Sequence, residues 1–307
     1  MNDWRERIDA AADRTAGLLR RTPLMETHAL WNERLVEVKL EQMQHTGTFK
    51  PRGAFNAILS QDVPPAGVVA ASGGNHGAAV AYAAAKLDLP AKIFVPEVAG
   101  ISKIRLIEKT GADLVVVPGA YANALEEARA WEEQSGALQI HAYDAPATVE
   151  GQGTVFREWE AQGLDADTLL VAVGGGGLIA GAMAWFGEER KVVAVESEGC
   201  ATFYTAMREG IDAEINVSGI AADSLGARKI GKICHGLGVE QLVETVTVND
   251  AAILEAQRHL WDKLRLLVEP ASAVGLAALR SGAYQPEPGE RVALLLCGAN
   301  VSPDPIG

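Results

Sequence analysis

LLVAVGGGGLIAGAMAWFG, residues 169–187, is the stretch on which the fold turns. It carries no charge and is long enough to suggest a membrane span. Its four consecutive glycines, Gly174–Gly177, argue against that. Glycine costs a helix about 1 kcal/mol per residue relative to alanine, and glycine this dense marks a turn. The stretch therefore reads as a strand, a glycine turn and a helix. The same plan recurs along the chain. Apolar runs that read as strands are LVEVKL (35–40), GVVAA (67–71), AKIFVP (91–96), DLVVVP (113–118), LLVAV (169–173), KVVAVE (191–196), TVTV (245–248) and RVALLLC (291–297). Helical patterns such as GAAVAYAAAKL (77–87), ALEEARAWEEQ (124–134) and AAILEAQRHLWDKL (251–264) lie between them. Val-rich strands alternating with helices predict an α/β fold on parallel sheet. QDVPPAG (61–67) and YQPEPGE (284–290) read as loops, and no linker, repeat or low-complexity tract divides the chain.

The 307 residues suffice for one large domain or two ordinary ones. Hydrophobic content of 48% with 22% charged residues is globular in character. A net charge of −13 disfavours nucleic acid and anionic membranes as partners. Three cysteines, Cys200, Cys234 and Cys297, give neither a disulfide framework nor a C-x-x-C metal spacing. The opening MNDWRERIDAAADR is charged and lacks an apolar signal core, so a cytoplasmic location is expected.

Four motifs carry chemistry. HTGTFKPRGA (45–54) sets one lysine, Lys50, between Phe49 and a Pro-Arg-Gly turn that opens a helix. An arbitrary lysine at a helix start keeps its head in water; this one is framed as if to meet a fixed partner. ASGGNHGAAVAYAAA (71–85) follows a strand directly. Its Ser72, Gly73, Gly74 and Asn75 form a polar turn whose backbone N–H groups begin a helix, which suits an anion. A capped tight turn, with asparagine in the left-handed region, accounts for it equally. In VGGGGLIAG (173–181), bare amides in series suit a phosphate. Gly175, Gly177 and Ala180 also fit G-x-G-x-x-A, and Glu196 ends the next strand about 20 residues on, as a nicotinamide dinucleotide fold requires. That reading leaves Lys50 and Asn75 without a role, and it needs fewer glycines than are present. LLLCGAN (294–300) ends an apolar strand on Cys297, at the strand end where ligands meet α/β sheets. An inert buried cysteine is the alternative there.

Together GTFKPRGAFN (47–56), SGGNHG (72–77), EGQGT (150–154), GGGGL (174–178), ADSLGA (222–227), VEPASAVGLAAL (268–279) and CGAN (297–300) resemble the fold-type II pyridoxal phosphate enzymes. Within that family the chain looks like the serine/threonine dehydratases, in the serine dehydratase-like branch, and the resemblance covers nearly its whole length. It implies a tryptophan synthase beta-like architecture: two open twisted α/β domains with the cofactor between them. The large domain comprises 1–44 and 149–307, and the small domain, 45–148, carries the asparagine loop. It implies that Lys50 holds pyridoxal 5'-phosphate as a Schiff base, that Phe49 packs on its ring, and that Asn75 bonds the ring hydroxyl. Gly174, Gly175, Gly176 and Gly177, with the Leu178 amide, hold the phosphate, and Cys297 faces the pyridine nitrogen. Ser72, Gly73, Gly74 and Asn75, with Thr48, hold the substrate carboxylate. The implied reaction is β-elimination from L-threonine or L-serine, with Lys50 as the base at Cα, giving 2-oxobutanoate or pyruvate and ammonia.

Departures from the family refine this. Serine racemases of the family carry serine where this chain has Gly73, so racemisation is not expected. His76 stands where the sulfhydrylase branch has threonine. Gly73 is smaller than the usual residue, which suggests room for a larger β-hydroxy amino acid, such as threo-3-hydroxyaspartate. ADSLG is similar to hydroxyectoine-utilisation dehydratases, which adds a hydroxyectoine-derived substrate. A cation site is implied at Glu196, Cys200, Thr202, Gly174, Leu225 and Ala227. With threonine rather than aspartate at 202, a monovalent ion such as K⁺ is expected over Mg²⁺. The family also implies a homodimer. Two readings of other classes stand beside it: an NAD-dependent oxidoreductase, and a catalytically silent pyridoxal phosphate-binding protein.

Overall fold

The glycine stretch folds as a strand, Thr168–Ala172, a glycine turn, and a ten-residue helix, Gly177–Phe186. A computed structural model describes residues 3–301 apart from 98 and 120; residues 302–307, the end of the expected large domain, lie outside the described residues. Among the described residues no helix is long and apolar enough to cross a membrane.

Among the described residues ten strands form two sheets. They are β1 (Leu24–Trp31), β2 (Arg34–Leu40), β3 (Val68–Ala71), β4 (Ala91–Pro96), β5 (Asp113–Val117), β6 (Leu138–Gln139), β7 (Thr168–Ala172), β8 (Lys191–Ser197), β9 (Glu244–Val248) and β10 (Val292–Leu296). The larger sheet runs β1-β2-β10-β7-β8-β9, and the smaller runs β5-β4-β3-β6. All neighbours are parallel except β1 and β2, which form an antiparallel hairpin. All eight strands read from the sequence are present. β1 and β6 are additional. In β1, LMETHALW interleaves polar residues because half the strand is solvent-facing at a sheet edge. Its turn, Asn32 and Glu33, holds positive φ at both residues without the glycine that marks such hairpins.

Parallel strands place their carboxyl ends along one edge, where α/β folds bind ligands. β7 ends at the glycine turn, β3 at Ser72, and β10 at Cys297. The helix Lys50–Leu59 is wedged beside this edge. Its first turn accommodates Pro51, whose missing N–H is no loss there. Its approach to the helix Pro146–Ala161, together with that of the helix Trp4–Arg14, explains the EGQGT motif. A Cβ on Gly151 would strike the Arg52 carbonyl, and one on Gly153 would strike Ile8. Gly181 in turn allows the helix Gly177–Phe186 to lie against Gly153, with a Cβ position only 2.6 Å from its nitrogen.

Beneath the Lys50 helix lies a buried ion network. Arg52 donates to both Glu41 oxygens, at 2.8 and 2.7 Å, and to Glu158 at 3.0 Å. Lys39 donates to Glu158 at 2.5 Å and to Gln162 at 2.7 Å. Buried charges hold only when every member is satisfied. Arg52→Ala leaves Glu41 buried and unpaired, so it is expected to cost about 3–5 kcal/mol of unfolding free energy. Urea denaturation of the variant beside wild type checks this.

Candidate active site

Most of the residues singled out in the sequence meet in one cavity of about 510 Å³. Phe49, Lys50, Ser72, Gly74, Asn75, Gly174, Gly175, Gly176, Gly177, Leu178 and Cys297 all line it. Thr48 and Gly73 do not. Thr48 is fully buried, bridges to Gly298, and receives the Lys50 backbone N–H at 3.4 Å. Gly73 corrects an expectation. A Cβ there would strike Ala99 and Val95, so the missing side chain faces the end of β4 and does not widen the cavity. Any side chain at 73 must displace these neighbours.

Lys50 Nζ donates to the Ala142 carbonyl at 3.2 Å and lies 5.0 Å from the centre of the Phe49 ring. Burial pulls its pKa down to about 8, although Glu269 and, where ionised, the Cys297 thiolate push the other way. Burial drives the neighbouring Cys297 thiol up to about 12, so it is a neutral thiol near pH 7. Its sulfur lies 3.4 Å from the Ser272 hydroxyl, which donates to the Gly298 carbonyl. His76 is buried, and desolvation lowers it to about 3. The imidazole is thus neutral, and its Nε2 donates to the Ile140 carbonyl at 2.8 Å.

The glycine turn is shaped from outside. Gly176 has φ of +94°, and a Cβ there would meet Cys234 at 2.6 Å. A Cβ on Gly175 would enter the Tyr143 ring, and one on Gly174 would stand 3.2 Å from Leu225. The turn is therefore clamped between Tyr143, Leu225 and Cys234. It leaves backbone N–H groups at the start of the helix Gly177–Phe186, a placement that favours an anion.

Several residues with no role assigned from sequence also belong to the cavity or its wall. Both Glu269 oxygens accept from Asn75 Nδ2 at 3.0 Å, and Asn300 Nδ2 donates to Asn75 Oδ1 at 2.9 Å. Tyr121, Leu125 and Tyr143 line the cavity together with Asp223, Arg228 and Lys229, and the Tyr143 hydroxyl donates to the Lys229 carbonyl at 3.4 Å. Glu269 stands in VEPAS and Asn300 in CGAN, but short motifs do not say where their side chains point.

Glu196 is occupied otherwise than a ribose ligand would be. Its oxygens accept the Phe203 and Tyr204 backbone N–H groups, each at 2.7 Å, at the start of the helix Thr202–Glu209. Burial raises its pKa to about 7 despite these bonds. Thr202 Oγ1 donates to the Ala227 carbonyl at 2.6 Å. The residues expected around a cation thus include two pairs already satisfied within the protein.

Known proteins are similar to this chain in sequence and in fold. The family model described as pyridoxal-phosphate dependent enzyme matches residues 16–298. A phenylserine dehydratase of Ralstonia pickettii is 35% identical over 86% of this chain and 82% of its own length. An L-threo-3-hydroxyaspartate ammonia-lyase of a Pseudomonas species is 33% identical, covering 95% of this chain and 93% of its own. A solved threonine deaminase, from the organism abbreviated T.th., superposes with a TM-score of 0.89 at 32% identity, over 98% of this chain and 99% of that one. The maize serine racemase does so with a TM-score of 0.89 at 29% identity, over 97% and 94%.

In the cofactor-free protein Lys50 is expected to react with an amine reagent with a midpoint near pH 8, well below the ordinary lysine value of 10.5. Peptide mass spectrometry across pH measures it. The same shift sets a sign for stability. Between these two pH values the unfolded chain binds a proton that the folded chain does not, so Lys50's contribution to stability improves as pH rises. Lys50→Met should therefore raise Tm at pH 7, by an amount that shrinks as pH rises through that window.

Proposed function

We propose, from the premise that the chain belongs to the pyridoxal-phosphate dependent enzymes and is a lyase of the ammonia-lyase type, that it dehydrates a small β-hydroxy amino acid. L-threonine and L-serine are the first substrates in this reading, giving 2-oxobutanoate and pyruvate with ammonia. The observation that carries it is a lysine with a depressed pKa in one cavity with Asn75, the glycine turn and a neutral thiol.

The residues present fit pyridoxal phosphate. The clamped turn Gly174–Gly177 with Leu178 suits a phosphate, and Phe49 offers a flat apolar face beside Lys50. A buried neutral thiol at Cys297 suits an unprotonated pyridine nitrogen, where a carboxylate would hold a proton. Lys50, Phe49, Asn75, Gly174, Gly175, Gly176, Gly177, Leu178 and Cys297 would hold the group. Bound, it supplies an electron sink for the charge left at the substrate Cα.

The chain's own groups do the rest. The Ser72–Asn75 turn, at the start of the helix Asn75–Lys86, would orient the substrate carboxylate. Thr48 acts by fixing the Lys50 backbone. The Lys50 amine, with a pKa near the working range, takes the Cα proton. The β-hydroxyl departs with a proton as water. The enamine that remains takes up water and releases ammonia, leaving the 2-oxo acid.

A second reading concerns substrate size. Tyr121, Leu125 and Tyr143 on the cavity flank favour a bulky apolar β-substituent. A β-carboxylate is less favoured, because Arg228 and Lys229 already face Glu214 at 2.9 and 3.9 Å. A hydroxyectoine-derived substrate has no such observation behind it. The segment 45–148 is proposed as a small domain closing on the remainder, in a cytoplasmic homodimer. A K⁺-like ion would settle near Glu196 by turning the Thr202 hydroxyl off the Ala227 carbonyl.

Lys50→Ala is expected to abolish 2-oxo acid formation from every substrate while keeping the far-UV circular dichroism of wild type. Wild type is to be assayed with L-serine, L-threonine, L-threo-phenylserine and L-threo-3-hydroxyaspartate. No 2-oxo acid from any of the four refutes the dehydratase reading. Replacing K⁺ by tetramethylammonium is expected to lower both activity and Tm, and unchanged values exclude the ion.

A further inference from the structure

Glu269 is a carboxylate, 2% exposed, inside the cavity. It is the N-cap residue of the helix Pro270–Ser281, where a carboxylate ordinarily accepts the free N–H groups of the first turn. This one makes no such bond. It turns away from its own helix, and both oxygens accept from Asn75 Nδ2 at 3.0 Å. The fold makes room for that rotamer. A Cβ on Gly298 would strike Glu269 Oε1, so the glycine after Cys297 is what lets the carboxylate lie there. The Glu269 backbone is anchored at the same place, its N–H donating to the Gly298 carbonyl at 3.1 Å.

The chemistry of the contact is directional. A carboxylate only accepts, so it forces the Asn75 amide to present its NH₂. Asn300 Nδ2 reinforces this by donating to Asn75 Oδ1 from the other side, at 2.9 Å. An amide held so has a second N–H to offer toward the cavity. An unsupported asparagine is free to flip and offer oxygen instead. The charged and titratable groups around Lys50 are Glu269 and Cys297, which favour its ammonium, and His76 and His141, which are themselves disfavoured as cations by it. With the thiol neutral, Glu269 is the carboxylate in that group.

We propose that Glu269 is a positioning residue: its carboxylate locks Asn75 with N–H groups toward the cofactor cleft and sets the charge that Lys50 feels. This rests on the reading of Lys50 and Asn75 as cofactor residues, but not on any substrate or turnover.

The test begins with the cofactor-free protein. Lys50 acylation by acetic anhydride is followed across pH by peptide mass spectrometry in wild type, Glu269→Gln and Glu269→Asp. Removing an opposite charge lowers a lysine pKa by on the order of one unit. Glu269→Gln is thus expected to acylate about tenfold faster at pH values below both midpoints. Glu269→Asp, which keeps the charge, is expected to retain the wild-type midpoint. The dissociation constant for pyridoxal phosphate is then measured in a double-mutant cycle with Asn75→Ala. Glu269→Gln is expected to weaken binding in wild type by clearly more than it does in Asn75→Ala. An unmoved Lys50 midpoint overturns the electrostatic role, and additive effects overturn the action through Asn75. Should Glu269→Gln fail to fold, Glu269→Asp decides: drawn back by one methylene, it should weaken cofactor binding, and unchanged affinity overturns the proposal. Loss of all dehydratase activity in wild type would sink the proposed reaction and leave these results intact.

Discussion

The residues just before the lysine are stitched to the end of β10. Phe49 N–H donates to the Cys297 carbonyl at 3.1 Å, Ala299 N–H to the Gly47 carbonyl at 3.0 Å, and Thr48 bridges Gly298. Asn300 closes the seam through the Thr46 carbonyl at 2.8 Å. These bonds join segments about 250 residues apart in the chain. They fix the backbone from which Lys50 projects, and on the same few atoms they fix the Cys297 thiol. The Glu269 amide bonds to the Gly298 carbonyl in the same seam, and Asn300 reaches from it to Asn75. Loosening it would scatter the lysine, the thiol and the asparagine together.

The seam works because the elements behind it cannot slide. Glycines at 53, 151, 153 and 181 let four helices approach until backbone meets backbone or side chain. The Arg52–Glu41–Glu158–Lys39 network locks the Lys50 helix from below. Rigid support matters because Lys50 is held against its own solvation. Burial lowers its pKa, and nearby charge tempers that fall. A reactive amine near neutral pH is the outcome of the two opposing effects. Nearby polar groups follow the same rule: Cys297 and His76 are kept neutral by burial.

Much of this was legible in the sequence, for a physical reason. Parallel strands buried on both faces must be continuous apolar runs, which made the central strands legible, while β5 and β9, partly exposed at sheet edges, were legible as valine-rich runs. β1 was not, because an edge strand half in water mixes polar and apolar residues, and its Asn32–Glu33 turn lacks glycine. The glycine turn, Lys50, Asn75 and Cys297 were visible because they sit at strand and helix junctions, where spacing carries meaning. Direction was not visible. The bare face of Gly73 points at Ala99 and Val95, not at the cavity, and Glu196 caps a helix seven residues on. Glu269, the N-cap residue of the helix Pro270–Ser281, is turned toward Asn75, a partner 194 residues away. Side-chain direction across such distances is a property of packing, which no local pattern encodes.

The central claim is that Lys50 carries the cofactor. Borohydride reduction of the pyridoxal phosphate-loaded protein, followed by peptide mass spectrometry, tests it most directly. The account predicts one reduced phosphopyridoxyl adduct, on the peptide containing Lys50. An adduct at another lysine with Lys50 unmodified, or no adduct at saturating cofactor, would contradict it.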